Sequence, residues 1–424
     1  MTDRNSTTFL AEQSDSSHHR SNFYASGTRD LLPLDVAQKQ WLTRGLENVL
    51  HRWGYHRIIT STLERLETLM AGGAVDRSTV IEIPDTDGGR VGLRPELTAS
   101  IARAAVTRMG DMYPQRLYYN ANIFRRADLD RHGRQQEFYQ TGIELLGASG
   151  TLADAEAISI LAECLQSLAV PNWQIVLGEA GLSQALLAQF PIEFQTQIRW
   201  CIAHLDRVKL EQLPLTSSDR QLALSLLDLR GNPDLVLAKL ATLELDAQSK
   251  TTIANLQAVV ELLTASSSQP LPLVLDLSLL QTFDYYTGIV FEAICIADDN
   301  AHVLGQGGRY DRLLGLYHPH GQNCPGIGFS LNIETIQQVL QTHPAMPHYT
   351  PKPDWLVVAT TSAAAAVALV YGQKLRSTPA LARVEIYLQD GEPSQIKQVA
   401  IERGIAKIAW VGERDVTVEE LRQK

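Results

Sequence analysis

The chain has 424 residues, 45% of them hydrophobic, which is enough for two or three domains with cores of their own. A net charge of −10 gives no global basic field to attract nucleic acid, so such a partner is not expected. Cys164, Cys201, Cys295 and Cys324 lie far apart with no CxxC pair, which argues against a disulfide framework or a cysteine zinc site.

Residues 1–22 are rich in Ser, Thr, Asp and His and carry few apolar side chains, so a disordered tail is expected. From Leu34 to Arg52 apolar residues recur at helical spacing (Val36, Trp41, Leu42, Leu46, Leu50), and Gly54 marks the stop. Arg57–Leu63 and Arg90–Leu93 read as strands, and Glu96–Met109 as an Ala-rich helix opened by Pro95. Arg116–Phe124 and Gln136–Leu146 read as an antiparallel pair joined by the charged segment Arg125–Arg134. Ala153–Leu168 is a helix pattern, Gln174–Leu177 a strand. Residues 181–266 then read as a Leu-rich helical insertion.

Strands return at Leu273–Leu277, Ile289–Ile296 and Ile327–Leu331, which makes 23–180 and 267–342 one interrupted core. Four prolines between His343 and Pro353 mark a linker. Over 354–424, strands at Trp355–Ala359, Val384–Leu388 and Lys407–Val411 alternate with helices at Ala363–Leu375 and Ser394–Arg403, as in a small α/β domain with a parallel sheet. No apolar run reaches the roughly 18 residues that span a bilayer. No basic segment followed by an apolar one opens the chain, so a soluble cytoplasmic protein is expected.

Four local patterns carry candidate chemistry, each with a plain structural alternative. Arg94-Pro95-Glu96-Leu97-Thr98 sets a carboxylate and a hydroxyl two residues apart, suited to an ammonium group or simply to a helix start. Phe124-Arg125-Arg126 precedes Gln140-Thr141-Gly142-Ile143-Glu144. On a strand Gln140 and Glu144 share a face, with Gly142 between them leaving room for a ligand; the alternative is a solvated basic hairpin. In Phe283-Asp284-Tyr285-Tyr286-Thr287-Gly288 adjacent tyrosines entering a strand point to opposite faces. Only one can then line a pocket, or both are core packing. Gly305-Gln306-Gly307-Gly308-Arg309-Tyr310-Asp311 allows close backbone approach, or a glycine turn.

In this order and spacing the four patterns resemble the histidyl-tRNA synthetase family, over roughly residues 23–345 and more faintly beyond. The resemblance implies an α+β class II synthetase-like fold, an antiparallel sheet flanked by helices, usually dimeric. It also implies that Glu96, Thr98 and Gln140 hold the ammonium group of L-histidine, while Glu144, Tyr286 and Tyr310 read its imidazole. The ATP side departs from the family. The Glu of Phe-Arg-x-Glu is Ala127, leaving Arg125 as a remnant phosphate ligand. The arginine before Asp-Tyr-Tyr is Gln281, the arginine of the third class motif is Thr335, and the first-motif proline is Ser61. Each lost cation would remove roughly 3–4 kcal/mol of transition-state stabilisation.

One branch of the family keeps this pocket and lacks these arginines. Its members are non-catalytic regulators of the short-form ATP phosphoribosyltransferase catalytic subunit in histidine biosynthesis. Resemblance to that branch implies no cofactor, no metal, L-histidine as feedback effector, a truncated anticodon-binding-like tail domain and a hetero-oligomer. A divergent active synthetase and a stand-alone histidine or nucleotide binder are the other two readings.

Overall fold

The computed structural model describes residues 27–421 except 72–74, 86–87, 111–112, 127–134, 244, 280–284, 298 and 380–381. The expected tail over 1–22, and the departures at Ala127 and Gln281, lie outside the described residues. Two compact units are present: Lys39–Met346, and Pro347–Lys424 together with Leu31–Gln38.

Helix α1 (Pro33–Arg52) buries Leu42, Leu46, Val49 and Leu50, the stripe its periodicity requires. A small antiparallel sheet follows: β2 (Leu63–Arg65), β3 (Ile81–Pro84) and β4 (Arg90–Leu93), with β4 central. The short helix α2 (Leu66–Met70) lies between β2 and β3, and α3 (Thr98–Ala104) follows β4.

The large sheet holds β1 (His56–Arg57), β5 (Gln115–Phe124), β6 (Glu137–Leu146), β7 (Trp173–Glu179), β8 (Arg230–Gly231), β9 (Leu273–Asp276), β10 (Ile289–Ala297), β11 (Asn300–Arg309) and β12 (Gly326–Asn332). Its order is β1-β5-β6-β12-β11-β10-β7-β9-β8. The stretch from β5 to β7 is antiparallel throughout, whereas β1 runs parallel to β5 and β9 parallel to β7. The sheet is therefore mixed rather than purely antiparallel, because β1 and β9 enter through crossovers instead of hairpins.

Helix α4 (Thr151–Ser167) covers the sheet with ten buried residues, among them Ala157, Ile158, Ile160 and Leu161. It also holds three arginines from elsewhere in the unit. Asp154 pairs with Arg309, Glu156 with Arg116, and Glu163 with Arg52. Between β7 and β9 lie α5 (Ala180–Leu187), α6 (Ile192–Ala203), α7 (Arg207–Gln212), α8 (Ser217–Leu227), α9 (Pro233–Leu240) and α10 (Ala247–Ser266). Several start on side-chain caps: Glu179, Asp206, Thr216, Asn232 and Asp246 each accept a first-turn amide. Helix α11 (Ile333–Val339) closes the first unit.

The second unit's sheet has the order β14 (Val384–Ile386), β13 (Trp355–Ala359), β15 (Lys407–Val411), β16 (Val416–Glu420), with α12 (Ala365–Arg376) and α13 (Pro393–Glu402). Three strands are parallel; β16 returns antiparallel on β15. That last strand carries no buried side chain, and its apolar alternation is confined to Val416 and Val418.

Arg94 ties the first unit's segments together. It is 4% exposed; its Nε donates to Asn122 O at 3.1 Å and its Nη1 to Thr60 O at 2.8 Å and Ser61 O at 3.1 Å. Arg94→Met leaves three carbonyls without their donor and is expected to cost about 2–4 kcal/mol in urea unfolding. A midpoint unchanged from wild type would contradict this.

Candidate functional site

The face of the large sheet that bears Gln140 and Glu144 opens into a cleft of about 360 Å³, lined by Glu96, Thr98, Tyr119, Arg125, Gln140, Tyr285, Tyr286, Gln306, Tyr310, Phe329 and Ser330 among others. The period-two argument holds here: Gln140 lines the cleft, and Glu144 bonds Thr98 and Tyr310, which line it too. Of the seven residues singled out from sequence, six line the cleft. The seventh, Glu144, lies just beneath it at 1% exposure.

Glu144 spends its two carboxylate oxygens on hydroxyls. Thr98 Oγ1 donates to Oε1 at 2.8 Å, and the Tyr310 hydroxyl donates to Oε2. Burial pushes its carboxyl up to about 8; the two hydroxyl donors oppose that rise, and the nearby Glu96 carboxylate adds to it. Glu96 does what a helix-start residue does and still faces the cleft. Its oxygens accept Thr98 N at 2.7 Å and Ala99 N at 2.8 Å, so it closes the first turn of α3. Burial raises its carboxyl as well. The structural and functional readings of Arg94-Pro95-Glu96-Leu97-Thr98 are therefore compatible.

Arg125 is the one Lys or Arg among the described lining residues. Its Nε donates to Pro95 O at 2.9 Å, and burial pulls its pKa down despite the Glu96 charge. The opposing ring wall comes from three tyrosines: Tyr285 and Tyr286 have centroids 4.8 Å apart, and Tyr285 meets Tyr310 edge-on at 5.9 Å.

Three expectations need correction. Both adjacent tyrosines line the cleft, because β10 begins only at Ile289 and the alternation of a strand does not apply at 285–286. The Gly305–Gly308 run is not a turn but part of β11. The gap at Gly142 is filled from within: a Cβ there would collide with the Tyr119 hydroxyl and Phe329 O, so the missing side chain admits Tyr119 and not a ligand. The same logic runs across the site. A Cβ at Gly308 would strike the Tyr286 ring, one at Gly326 the Tyr310 ring, and one at Gly328 the Glu144 carboxylate.

Sequence reasoning missed Tyr119, Tyr285, Gln306, Phe329 and Ser330. Strand register carries most of that information: Tyr119 sits opposite Gly142, Gly142 opposite Ser330, and Ser330 opposite Gln306. Thr335 does not line the cleft; it lies in the first turn of α11, where its amide donates to Asn332 Oδ1 at 3.1 Å. Ser61 is exposed and donates to Leu63 O at 2.6 Å. Among the described residues no group of three His, Cys, Asp or Glu side chains is placed to hold a metal ion, and no helix is long and apolar enough to cross a membrane.

The family model described as histidyl-tRNA synthetase matches residues 27–336. A protein of Nostoc sp. (strain PCC 7120) named ATP phosphoribosyltransferase regulatory subunit is 55% identical over 388 residues, 91% of this chain and 96% of that one. A Nostoc punctiforme protein of the same name is 53% identical over 400 residues, 94% and 99% of the two chains. Among solved structures, an ATP phosphoribosyltransferase regulatory subunit/histidyl-tRNA synthetase from Bacillus halodurans C superposes with a TM-score of 0.77 at 24% identity, covering 92% of this chain and 98% of that chain. Histidyl-tRNA synthetase from Nostoc sp. PCC 7120 superposes with a TM-score of 0.75 at 20% identity, covering 94% and 97%. At such identities these two likenesses establish the fold.

The raised Glu144 carboxyl has a consequence for stability. Between the ordinary value of 4.5 and about 8, the folded chain holds a proton that the unfolded chain has released. The contribution of Glu144 is thus fully present below about pH 4.5 and is lost as pH rises toward 8. Relative to Glu144→Gln, wild type is expected to lose on the order of a few kcal/mol between pH 5 and pH 8 in urea titrations. A stability difference that stays constant with pH would show that Glu144 titrates normally.

Proposed function

Since the chain belongs to the histidyl-tRNA synthetase family, and within it to the ATP phosphoribosyltransferase regulatory subunits, we propose that it serves a short-form ATP phosphoribosyltransferase as its non-catalytic, histidine-sensing subunit. The observation that carries the sensing role is the charge pattern of the cleft. Two buried acids, of which Glu144 keeps its proton up to about pH 8, and a ring of phenols surround a single guanidinium. Such a site suits a small zwitterion with extra N–H donors. The ammonium group of L-histidine is assigned to Glu96, Thr98 and Gln140. Its imidazole is assigned to Tyr286, Tyr310 and the Glu144 behind them. Its carboxylate then falls to Arg125, in place of a phosphate.

The same inventory speaks against adenylate formation. Phosphoryl chemistry on ATP needs several fixed cations around the reacting phosphorus. Here Thr335 replaces one family arginine, Gln281 another, and Ala127 the adenine-reading acid. With the catalytic partner supplying the phosphoribosyl transfer, histidine acts by binding one conformation of the complex more tightly than another and shifting its population. We place this assembly in the cytoplasm, with the chain itself self-associating as a dimer. The region 354–424 is assigned as an anticodon-binding-like domain without a tRNA role.

Mixed with the short catalytic subunit of its own organism, the chain is expected to co-elute as a hetero-oligomer burying at least about 1,000 Å² per contact, and to raise turnover of the phosphoribosyl transfer. Alone, it is expected to give no histidine-dependent pyrophosphate exchange. Separate elution with unchanged turnover would refute the regulatory role, and exchange above background would restore the synthetase reading.

A further inference from the structure

Tyr286 and Tyr310 are held from behind by groups that do not line the cleft. Arg309, the last residue of β11, is 6% exposed. Its Nε donates to Asp154 Oδ1 at 2.7 Å, and its Nη2 lies 2.6 Å from the same oxygen. Its Nη1 donates to Ala148 O at 3.1 Å and to Asp311 Oδ1 at 3.0 Å. The backbone continues the knot. Arg309 O accepts Thr287 N at 2.7 Å, Thr287 Oγ1 accepts Asp311 N at 2.9 Å, and Tyr310 N donates to Gly326 O at 2.8 Å. Tyr310 therefore sits between two anchored residues, and Tyr286 is covalently next to a third.

The anchor itself is rigid. Asp154 is in the first turn of α4, whose neighbouring Ala153, Ala155, Ala157 and Ile158 are buried in the core. The rings also pack closely against backbone, since a Cβ at Gly308 would strike Tyr286 and one at Gly326 would strike Tyr310. A buried ion pair is a poor way to gain stability, because desolvation offsets most of the attraction. It is a good way to fix geometry, and binding groups must be held to roughly 0.5 Å.

We propose that Arg309 and Asp154 are a positioning pair that sets how far Tyr310 and Tyr286 reach into the cleft, so that the pair governs ligand affinity without touching the ligand. This rests on the histidine-sensing reading for its ligand, but the placement of the rings can be read without one.

The test uses the full chain labelled with 3-fluorotyrosine, with the Tyr310 resonance identified by its loss in Tyr310→Phe. In Asp154→Asn, and in the milder Thr287→Val, the Tyr310 resonance shifts without any ligand present. In the same variants L-histidine binds about tenfold more weakly by calorimetry. In a Tyr310→Phe background Asp154→Asn costs less than it does in wild type, because part of its effect runs through the Tyr310 hydroxyl and the rest through Tyr286. An unmoved resonance in the folded variants overturns the proposal. So does unchanged histidine affinity, and so does a loss that adds in full to that of Tyr310→Phe. If wild type itself binds no histidine, the sensing reading fails, and the resonance alone decides whether the pair positions Tyr310.

Discussion

Glu144 is an acid buried within the sheet, its carboxyl pushed up to about 8, and answered among the described residues by hydroxyls and not by a cation. Burying such a group is costly unless its hydrogen bonds are met. Much of the surrounding architecture meets them. Thr98 must come from the start of α3 and Tyr310 from the end of β11, so two elements distant in sequence are both tied to one side chain of β6. Gly328 on the neighbouring strand stays bare because a Cβ would occupy the carboxylate's place. Glu96 and Arg125 then form the rim, a second acid and one cation, each partly engaged with backbone.

This arrangement keeps a polar recognition site inside a sheet whose other face packs on α4 and the hydrophobic core. Rings enter the glycine positions of β6, β11 and β12 and make the walls. The resulting cleft has acceptors to spare and little positive charge. On the proposed reading that imbalance separates sensing from catalysis. A free amino acid with donors on both ends is complemented, whereas a pentavalent phosphorus is not. On that reading, retaining the acids while losing the arginines turns an enzyme's substrate pocket into a ligand pocket. The energy of ligand binding is then available to bias a partner's conformation.

Part of the cleft was legible from residue type and spacing, while the roles of its residues came from the family resemblance. Period two placed Gln140 and Glu144 together, and the spacing of Glu96 and Thr98 proved to serve a helix start and a cleft wall at once. What escaped depended on information that a single segment does not hold. Tyr119 enters the site only because register sets it against Gly142, and Gly142 reads as open space until that ring is in place. Tyr285 was discounted by a strand rule applied four residues before the strand begins. The glycine run of β11 looked like a turn because glycine weakens a strand; here close ring packing outweighs that cost. β16 was missed because its apolar alternation is only two valines long and neither face is buried.

The central claim is that this pocket binds histidine through its buried acid, independently of any partner or nucleotide. Calorimetric titration of L-histidine into the full chain alone, beside a folded Glu144→Gln variant, tests it most directly. The account predicts saturable binding at one site per chain in wild type and at least about tenfold weaker binding in the variant, as expected when a buried hydrogen-bonding acceptor is altered. Absence of binding in wild type, or equal affinity in the two proteins, would contradict it.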